Sequence, residues 1–285
     1  MIFALVLFLP LLINNAVCEV DPKEQDFALE YLKKFEYLSP TNASSQNNTF
    51  AIKSFQTFFN LSVTGELNDE TLEAMKKPRC GDPDVGIDGL RVRVRRFSLL
   101  GKWPKTNFKY YLSYGKDLPK TSQARIIKRA FKYWSDVCPT LNFTRTNDSS
   151  DTDIRISFGS YNHAGIPNEG SCPSPFDGPG QVIAHAFLPV NRRSAWGKIH
   201  FDESDTFTEL GSSGYGWWSF RIGGSHSLIY VAVHEIGHSL GLGHSNIRNS
   251  VMYPLVKLGR PVLHNDDING IRTLYCPGVT PIDDR

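Results

Sequence analysis

The segment at residues 234–244 restricts the possible folds of this chain more than any other. It reads His-Glu-Ile-Gly-His-Ser-Leu-Gly-Leu-Gly-His. On a helix, His234 and His238 lie on one face and one turn apart, which suits two nitrogen ligands of one tetrahedral Zn²⁺. Gly241 can adopt a positive φ without steric cost, end the helix and turn the chain so that His244 becomes a third ligand. Three histidines leave the fourth position to water, which is typical of a catalytic zinc site.

Glu235 follows the first of these histidines and can reach a zinc-bound water without coordinating the metal itself. We therefore expect it to be the general base. The alternative is an amphipathic core helix with incidental histidines, but a glutamate, a glycine and a third histidine at these offsets favour the metal site. Met252, eight residues after His244, fits a turn beneath the zinc.

The first residues predict export rather than a folded element. Residues 2–13 are almost purely apolar and precede the small-residue pattern Ala16-Val17-Cys18. The run is too short to span a bilayer comfortably, so we interpret residues 1–18 as a signal peptide, with a membrane anchor as the alternative. The mature chain should then be secreted to the extracellular space or matrix without a membrane anchor, where disulfides persist. Glycosylation tripeptides fit that compartment, at Asn42, Asn47, Asn60, Asn142 and Asn147.

Two foldable blocks follow. In residues 19–96, apolar residues recur at helical spacing around Tyr31, Phe55 and Leu72, which predicts a bundle of three short helices. Residues 97–276 combine predicted strands and helices before a short tail at 277–285, and they indicate an α/β or α+β domain with a mixed sheet. The predicted strands are 108–112, 154–158 and 182–187, and the predicted helices are 121–136, 228–240 and 266–275. The formal net charge of +2 gives no reason to expect nucleic acid as a partner.

A basic run connects the two blocks. Arg93-Val94-Arg95-Arg96 in a secreted chain is a pattern that furin-like processing proteases recognise. It lies between two foldable blocks, where exposed linkers are cut. We therefore expect a furin-like protease to cleave between Arg96 and Phe97, with a solvated charge run as the alternative.

Several motifs together resemble those of a matrix metalloproteinase, a matrixin of the metzincin clan. They lie at residues 55–61, 64–67, 78–81, 176–180, 184–187, 234–244, 251–254 and 266–271. The resemblance implies an α+β fold, with a small three-helix prodomain followed by a metzincin catalytic domain that has a twisted mixed five-stranded sheet and three helices.

The resemblance also implies a secreted zinc-dependent endopeptidase made as a latent zymogen. Its substrates would be extracellular matrix proteins or other extracellular proteins and peptides, and its inhibitors would be proteins of the tissue-inhibitor type. We expect a monomer. Since the chain ends soon after the last predicted helix, we also expect a minimal member without a hemopexin-like domain.

The resemblance assigns Cys80 to the fourth zinc position of the latent form. A thiolate is a strong zinc ligand, so Cys80 would exclude water until cleavage after Arg96 releases the prodomain. Arg79 could hold this segment through a carboxylate. The family has an apolar residue where this chain has Asp82, and we expect this difference to weaken or retune the binding of Cys80 at the zinc.

Activation would create a new α-amino group at Phe97, which the resemblance pairs with Asp266 or Asp267. It would also leave three cysteines, which allow three single disulfides. Of these we favour Cys138–Cys276, because the two cysteines end the first and the last helix of the second block.

In the active form, Zn²⁺ on the three histidines would lower the pKa of its water and polarise the scissile carbonyl, while Glu235 moves the water proton to the leaving amine. A strand edge at Ile183 and Ala184 would bind extended substrates by strand addition. An apolar pocket near Pro254 and Val256 would select the residue after the cut, and the family usually has Tyr at the position of Val256. The alternative function is a catalytically silent extracellular binding module on the same fold, which would not need Glu235.

A second, structural zinc departs from the family pattern of His, Asp, His and His. His185 and His200 match, but Cys172 holds the Asp position and Gly170 the preceding His position. One hypothesis is a zinc bound by His163, Cys172, His185 and His200, since thiolate is at least as good a ligand as carboxylate. The alternative is a lost site, with His163 an ordinary loop histidine and Cys172 paired elsewhere.

A calcium site is the remaining metal expectation. Asp177, Asp202 and Asp205 match carboxylates of a family calcium loop, although the family usually has Glu at the position of Asp205. Hard oxygen ligands from a Gly-rich loop suit Ca²⁺.

Overall fold

The computed structural model describes residues 20–38, 45–84, 98–163, 172–189, 196–212, 224–279 and 282. The predicted signal peptide and the predicted cleavage site at Arg96 and Phe97 lie outside the described residues. None of the helices within these ranges is long and apolar enough to cross a membrane.

The N-terminal block forms the three predicted helices. They are α1 (Pro22–Lys34), α2 (Ser45–Phe58) and α3 (Asp69–Met75). Asp21 caps α1 and Asn68 caps α3, each accepting a hydrogen bond from a backbone amide of the first turn. Such caps satisfy amide groups that have no partner inside the helix.

Aromatic side chains fill the interior of this bundle and continue onto the second block. The rings of Tyr31 and Phe55 meet edge to face with centroids 5.5 Å apart. Phe59 reaches across to Tyr253 of the second block at 5.8 Å. Phe176 and Val182 of the second block belong to the same buried cluster. The prodomain is therefore packed onto the second block through a shared apolar core.

The second block contains the predicted mixed sheet of five strands, and the prodomain adds a sixth. The strands are β1 (Arg79–Cys80), β2 (Asn107–Leu112), β3 (Asn142–Arg145), β4 (Ile154–Gly159), β5 (Val182–Ala186) and β6 (Lys198–Asp202), in the order β1-β5-β6-β4-β2-β3. Only the β5–β6 pair of this sheet is antiparallel. Two further short strands, β7 (Phe207–Thr208) and β8 (His226–Ser227), form a separate parallel pair.

Three helices complete the described part of the second block, as predicted. They are α4 (Lys120–Val137), α5 (Leu228–Ser239) and α6 (Asn265–Tyr275). The Trp134 indole on α4 donates to the Val233 carbonyl on α5 at 3.0 Å, so a buried polar group fixes how the two helices pack. A disulfide joins Cys138 to Cys276. This confirms the favoured pairing, and the alternatives in which Cys172 carries the bridge are wrong.

Candidate metal centre

Helix α5 positions the first two histidines of the candidate site. Ser227 caps its N-terminus, and every residue of the helix is buried. Because α5 is buried on every side within the core, it holds its side chains in fixed positions. The rings of His234 and His238 lie side by side with centroids 4.7 Å apart.

Gly241 turns the chain after α5. Its φ is 109°, and a Cβ at this position would lie 2.2 Å from the carbonyl oxygen of Gly101. Only glycine fits this close approach of two backbones. The turn brings the ring of His244 to 4.7 Å from that of His238 and 5.3 Å from that of His234. The structure thus places the three predicted ligands together.

The protonation of the histidines fits a bound cation. His234 Nδ1 lies 2.7 Å from the Val251 carbonyl and His238 Nδ1 lies 2.7 Å from the Leu242 carbonyl. Each Nδ1 must donate, because a carbonyl can only accept. Burial lowers the pKa of His234 to about 3, so the ring is neutral. The two Nε2 lone pairs then face each other at 3.0 Å, which a metal ion between them would stabilise.

Cys80 closes the candidate site. One donor atom from each of Cys80, His234, His238 and His244 lies within 4.8 Å of the others. Burial, with the charges of Glu235 and Asp82, raises the pKa of the Cys80 thiol well above its usual range. A thiolate at this place therefore requires a cation. Three imidazoles and one sulfur form a donor set that suits Zn²⁺.

Residues 78–81 of the prodomain lie in the cleft between two segments of the second block. Arg79 donates its backbone amide to the Gln181 carbonyl, and Gly81 donates to Ala184, both at 2.8 Å. On the other side, the Cys80 amide donates to the Pro254 carbonyl at 2.9 Å, and the Val256 amide donates to Pro78 at 3.1 Å. The prodomain thus occupies the edge of β5, where Ile183 and Ala184 were expected to bind substrate.

A buried ion pair holds residues 78–84, the latch, in place. Arg79 donates two hydrogen bonds to Asp84, at 2.6 and 3.0 Å, and both side chains are almost completely buried. The guanidinium also lies 3.5 Å from the centroid of the Phe35 ring on the prodomain. The sequence predicts a carboxylate partner for Arg79 but does not identify it as Asp84. Sequence distance alone cannot tell which nearby acid turns toward the arginine.

Asp84 also connects the latch to a candidate metal ligand. Its Oδ1 lies 2.8 Å from His244 Nδ1. Burial alone would raise the pKa of Asp84, but the Arg79 charge and the His244 contact lower it to about 2. An anion beside Nδ1 orients the ring and leaves Nε2 to face the cluster. Within the part of the chain that the structure describes, His244 Nε2 makes no hydrogen bond.

Glu235 lies at the bottom of the cleft. It is completely buried, and neither of its carboxylate oxygens accepts a hydrogen bond from any described residue. Burial, reinforced by the charge of Asp82, raises its pKa well above the usual range. A narrow cavity beside it is lined by Tyr230, Val231 and Val256. In this arrangement the predicted base has no access to solvent.

The turn that contains Met252 lies beneath the histidines. Asp267, at the start of α6, accepts backbone hydrogen bonds from Val251, Met252 and His264 at 2.8–3.1 Å. Its carboxylate also accepts from the Ser250 hydroxyl. Asp267 is therefore committed to this turn, and the pairing of Asp266 or Asp267 with a new N-terminus stays a prediction. Phe97 itself lies outside the described ranges.

The four residues of the second metal hypothesis come together in the structure. His163 Nε2 and His185 Nε2 lie 2.9 and 3.0 Å from His200 Nδ1, and Cys172 Sγ lies 3.4 Å from His185 Nε2. Their donor atoms all lie within 4.8 Å of one another. His163 Nδ1 lies 2.7 Å from the Tyr161 carbonyl, which leaves its Nε2 as an acceptor. Four converging donor atoms are typical of a cation site, whereas unrelated loop residues would not converge in this way.

The predicted calcium ligands are less closely gathered. Asp177, Asp202 and Asp205 do not form a cluster of this tightness among the residues described. Oδ2 of Asp202 and Oδ2 of Asp205 are nevertheless buried and have no hydrogen-bond partner in the described ranges. Burial raises the pKa of Asp202 to about 6. Asp177 Oδ2 is paired with Lys34 of the prodomain at 3.0 Å. Calcium binding by these three residues stays a prediction.

Comparisons with known proteins agree with this geometry. A family model described as Matrixin matches residues 102–276, and one described as a putative peptidoglycan binding domain matches residues 28–75. Matrix metalloproteinase-18 of Xenopus laevis is 37% identical over 272 residues, covering 91% of this chain and 51% of that protein. The interstitial collagenase of Equus caballus is 41% identical over 233 residues, covering 81% of this chain and 44% of that protein.

Human matrilysin is 38% identical over 253 residues, covering 87% of this chain and 84% of that protein. The chain therefore spans about half the length of the first two relatives and most of the length of matrilysin.

Proposed function

The chain belongs to the matrixin family, and from this premise we propose that it is a secreted zinc endopeptidase, made as a latent zymogen, that cleaves extracellular proteins. The observation that carries the proposal is the set of neutral, facing imidazoles of His234, His238 and His244, closed by the Cys80 sulfur. A structural core would not place two unprotonated Nε2 atoms 3.0 Å apart. A carboxylate with no described partner lies beside them at Glu235.

His234, His238 and His244 would hold the zinc. When bound, zinc supplies a Lewis acid that polarises a scissile carbonyl and favours ionisation of water. Glu235 takes a proton from the attacking water and gives it to the leaving amine. Its position beside the first ligand and at the bottom of the cleft supports this role, because its carboxylate would face the attacking water once the prodomain has left. Asp267 keeps the turn beneath the histidines in position.

The substrate would lie where the prodomain lies now. The groups that bind residues 78–81 are the carbonyls of Gln181, Ala184 and Pro254 and the amide of Val256, and an extended peptide could use the same groups after activation. Ile183 and Ala184 would then hold its backbone, and Pro254 and Val256 would border the cavity that receives an apolar side chain. Extracellular matrix proteins and other extracellular proteins or peptides are the proposed substrates.

Latency would end by cleavage between Arg96 and Phe97, with a furin-like protease as the activating partner. Release of the prodomain removes the sulfur of Cys80 from the centre and exposes Glu235. The new α-amino group of Phe97 would pair with Asp266 or Asp267. Protein inhibitors of the tissue-inhibitor type would enter the same cleft, and the active enzyme would act as a monomer. The proposed organisation is a signal peptide at 1–18, a prodomain at 19–96 and a catalytic domain at 97–276.

The test is cleavage of an extended fluorogenic peptide by the processed chain. The processed protein should cleave it, the full-length chain should not, and a chelator should abolish the activity until zinc is restored. Activity that survives complete metal removal would contradict the proposal. A processed, zinc-loaded protein that cleaves nothing would favour the silent binding module.

We also propose that His163, Cys172, His185 and His200 bind a structural zinc and that Asp177, Asp202 and Asp205 contribute to a calcium site. A structural zinc needs all four of its protein ligands to be held firmly. His200→Ala should therefore lower the zinc content from about two ions to about one per chain after dialysis against a weak chelator. Cys172→Asp, which keeps an anionic ligand, is the matched control and should retain about two. An unchanged zinc content in His200→Ala would contradict the four-ligand site.

A further inference from the structure

Asp82 is an acidic residue inside the latch, at a position where the family has an apolar one. It is 7% exposed and lies two residues after Cys80. Its backbone amide donates to Cys80 Sγ at 3.4 Å, and its carboxylate accepts from the Ala186 backbone amide. The other carboxylate oxygen, Oδ2, is buried and has no hydrogen-bond partner within the described ranges. That oxygen lies 3.7 Å from His238 Nε2.

The path of the chain explains why Asp82 is directed at the centre. Side chains two residues apart in an extended segment lie on the same face, so Asp82 follows Cys80 toward the histidines. Gly81 between them lets the segment lie directly on β5, since a Cβ there would be 2.7 Å from the Val182 side chain. The backbone hydrogen bond from Gly81 to Ala184 then holds the segment in this orientation.

The ionised carboxylate of Asp82 is unfavourable at this place unless a cation offsets its charge. A buried carboxylate without a full set of partners is costly. The cost increases near a second carboxylate, because like charges repel. Donor atoms of Cys80, Asp82, Glu235 and His238 lie within 4.8 Å of one another. A zinc ion held by the three histidines would offset both costs, and a carboxylate oxygen is itself a common zinc ligand.

We propose that Asp82 is a second metal ligand of the latch, able to hold the fourth position of the zinc when the Cys80 sulfur is absent. This inference rests on the proposed function. The latch then carries two donors from one short segment, a thiolate and a carboxylate. Loss or chemical modification of the thiol alone leaves the centre closed, and the zymogen opens only when the segment is removed.

The test measures access to the metal rather than catalysis. Full-length proteins carrying Glu235→Ala, which cannot digest themselves, are loaded with zinc and titrated with acetohydroxamate, a small zinc chelator, by calorimetry. Cys80→Ala should bind it at least about tenfold more weakly than Cys80→Ala/Asp82→Val, because a site that is open for a tenth of the time binds with a tenth of the affinity. Cys80→Ala/Asp82→Asn, which keeps the shape of the side chain without its charge, should bind like the valine variant.

Equal acetohydroxamate affinity in Cys80→Ala and in both double variants would overturn the proposal. Should the valine variant fail to fold, the near-isosteric asparagine variant makes the same comparison. The processed Glu235→Ala protein serves as the open reference. If it binds no hydroxamate, the proposed function fails. If it binds while the latch variants do not differ, only the role of Asp82 fails.

Discussion

The processed Glu235→Ala protein should cleave peptides with a kcat about 10²–10⁴-fold below that of the processed wild type, while keeping its zinc. A carboxylate oxygen of Glu235 lies within 4.8 Å of the position that the Cys80 sulfur occupies. Neither of its oxygens makes a hydrogen bond with the described residues that would indicate a structural role. Its removal takes away the proton acceptor but none of the three histidines. The measurement is single-turnover or steady-state peptide cleavage, together with metal analysis of the same samples.

Glu235→Gln is the matched control for this prediction. It preserves the volume of a completely buried side chain but cannot accept the proton, so its activity should be as low as that of the alanine variant. Activity within about tenfold of wild type in either variant would rule out general-base catalysis by Glu235, since even the low end of the usual contribution is about a hundredfold.

Arg79→Ala should open the latch. The change leaves Asp84 as a buried charge without its arginine, and breaking such a pair typically costs about 3–5 kcal/mol. If that cost falls on the closed form, the open fraction of the full-length chain rises by roughly 10² or more. The measurement is the alkylation rate of Cys80 in zinc-loaded, full-length Glu235→Ala protein, which reports how often the sulfur leaves the centre.

Arg125→Ala provides the matched control. Arg125 also makes two hydrogen bonds to a carboxylate, that of Glu209, but the two side chains are 55% and 37% exposed. An exposed pair contributes little to stability. The alkylation rate of Cys80 in this variant should therefore stay close to that of the parent protein. Equal rates for Arg79→Ala and Arg125→Ala would mean that the buried pair does not hold the latch.

Helix α5 and its histidines could be predicted from the sequence because the pattern that reveals them lies in neighbouring residues. Two histidines four positions apart share a face of any helix, and Gly241 marks the turn that returns the third. The same holds for the three helices of the prodomain, whose aromatic residues repeat at helical spacing. The bounds of β2, β4, β5 and the three helices of the second block were each predicted to within about two residues.

Two of the five strands that the second block contributes to the six-stranded sheet escaped prediction for a physical reason. β3 (Asn142–Arg145) is an edge strand, and three of its four residues are exposed, so it shows no alternation of apolar and polar side chains. β6 (Lys198–Asp202) carries a lysine, a histidine and an aspartate, although four of its five residues are buried. Its His200 belongs to the proposed second metal site. These polar side chains take the place of the apolar pattern that would have revealed the strand.

The contacts that Asp82 and Asp84 make could not be predicted from the sequence. Nothing in residues 78–84 indicates that Asp84 turns back to Arg79 and His244, or that Asp82 faces His238. These contacts depend on how the prodomain lies on the second block, since Phe35 at the end of α1 and the Gln181 carbonyl before β5 complete the surroundings of Arg79. Only the folded arrangement brings them together.

The proposed function requires that Cys80 is the fourth ligand of a zinc ion on His234, His238 and His244 in the latent chain. X-ray absorption at the zinc edge of the latent Cys172→Asp protein tests this directly. Once the signal peptide has been removed, Cys80 is the one cysteine of this variant outside the Cys138–Cys276 disulfide. We predict sulfur at about 2.3 Å from zinc in the latent protein, and only lighter ligands at about 2.0–2.2 Å after the prodomain has been removed. A latent protein that retains its zinc but shows no sulfur ligand would contradict the account.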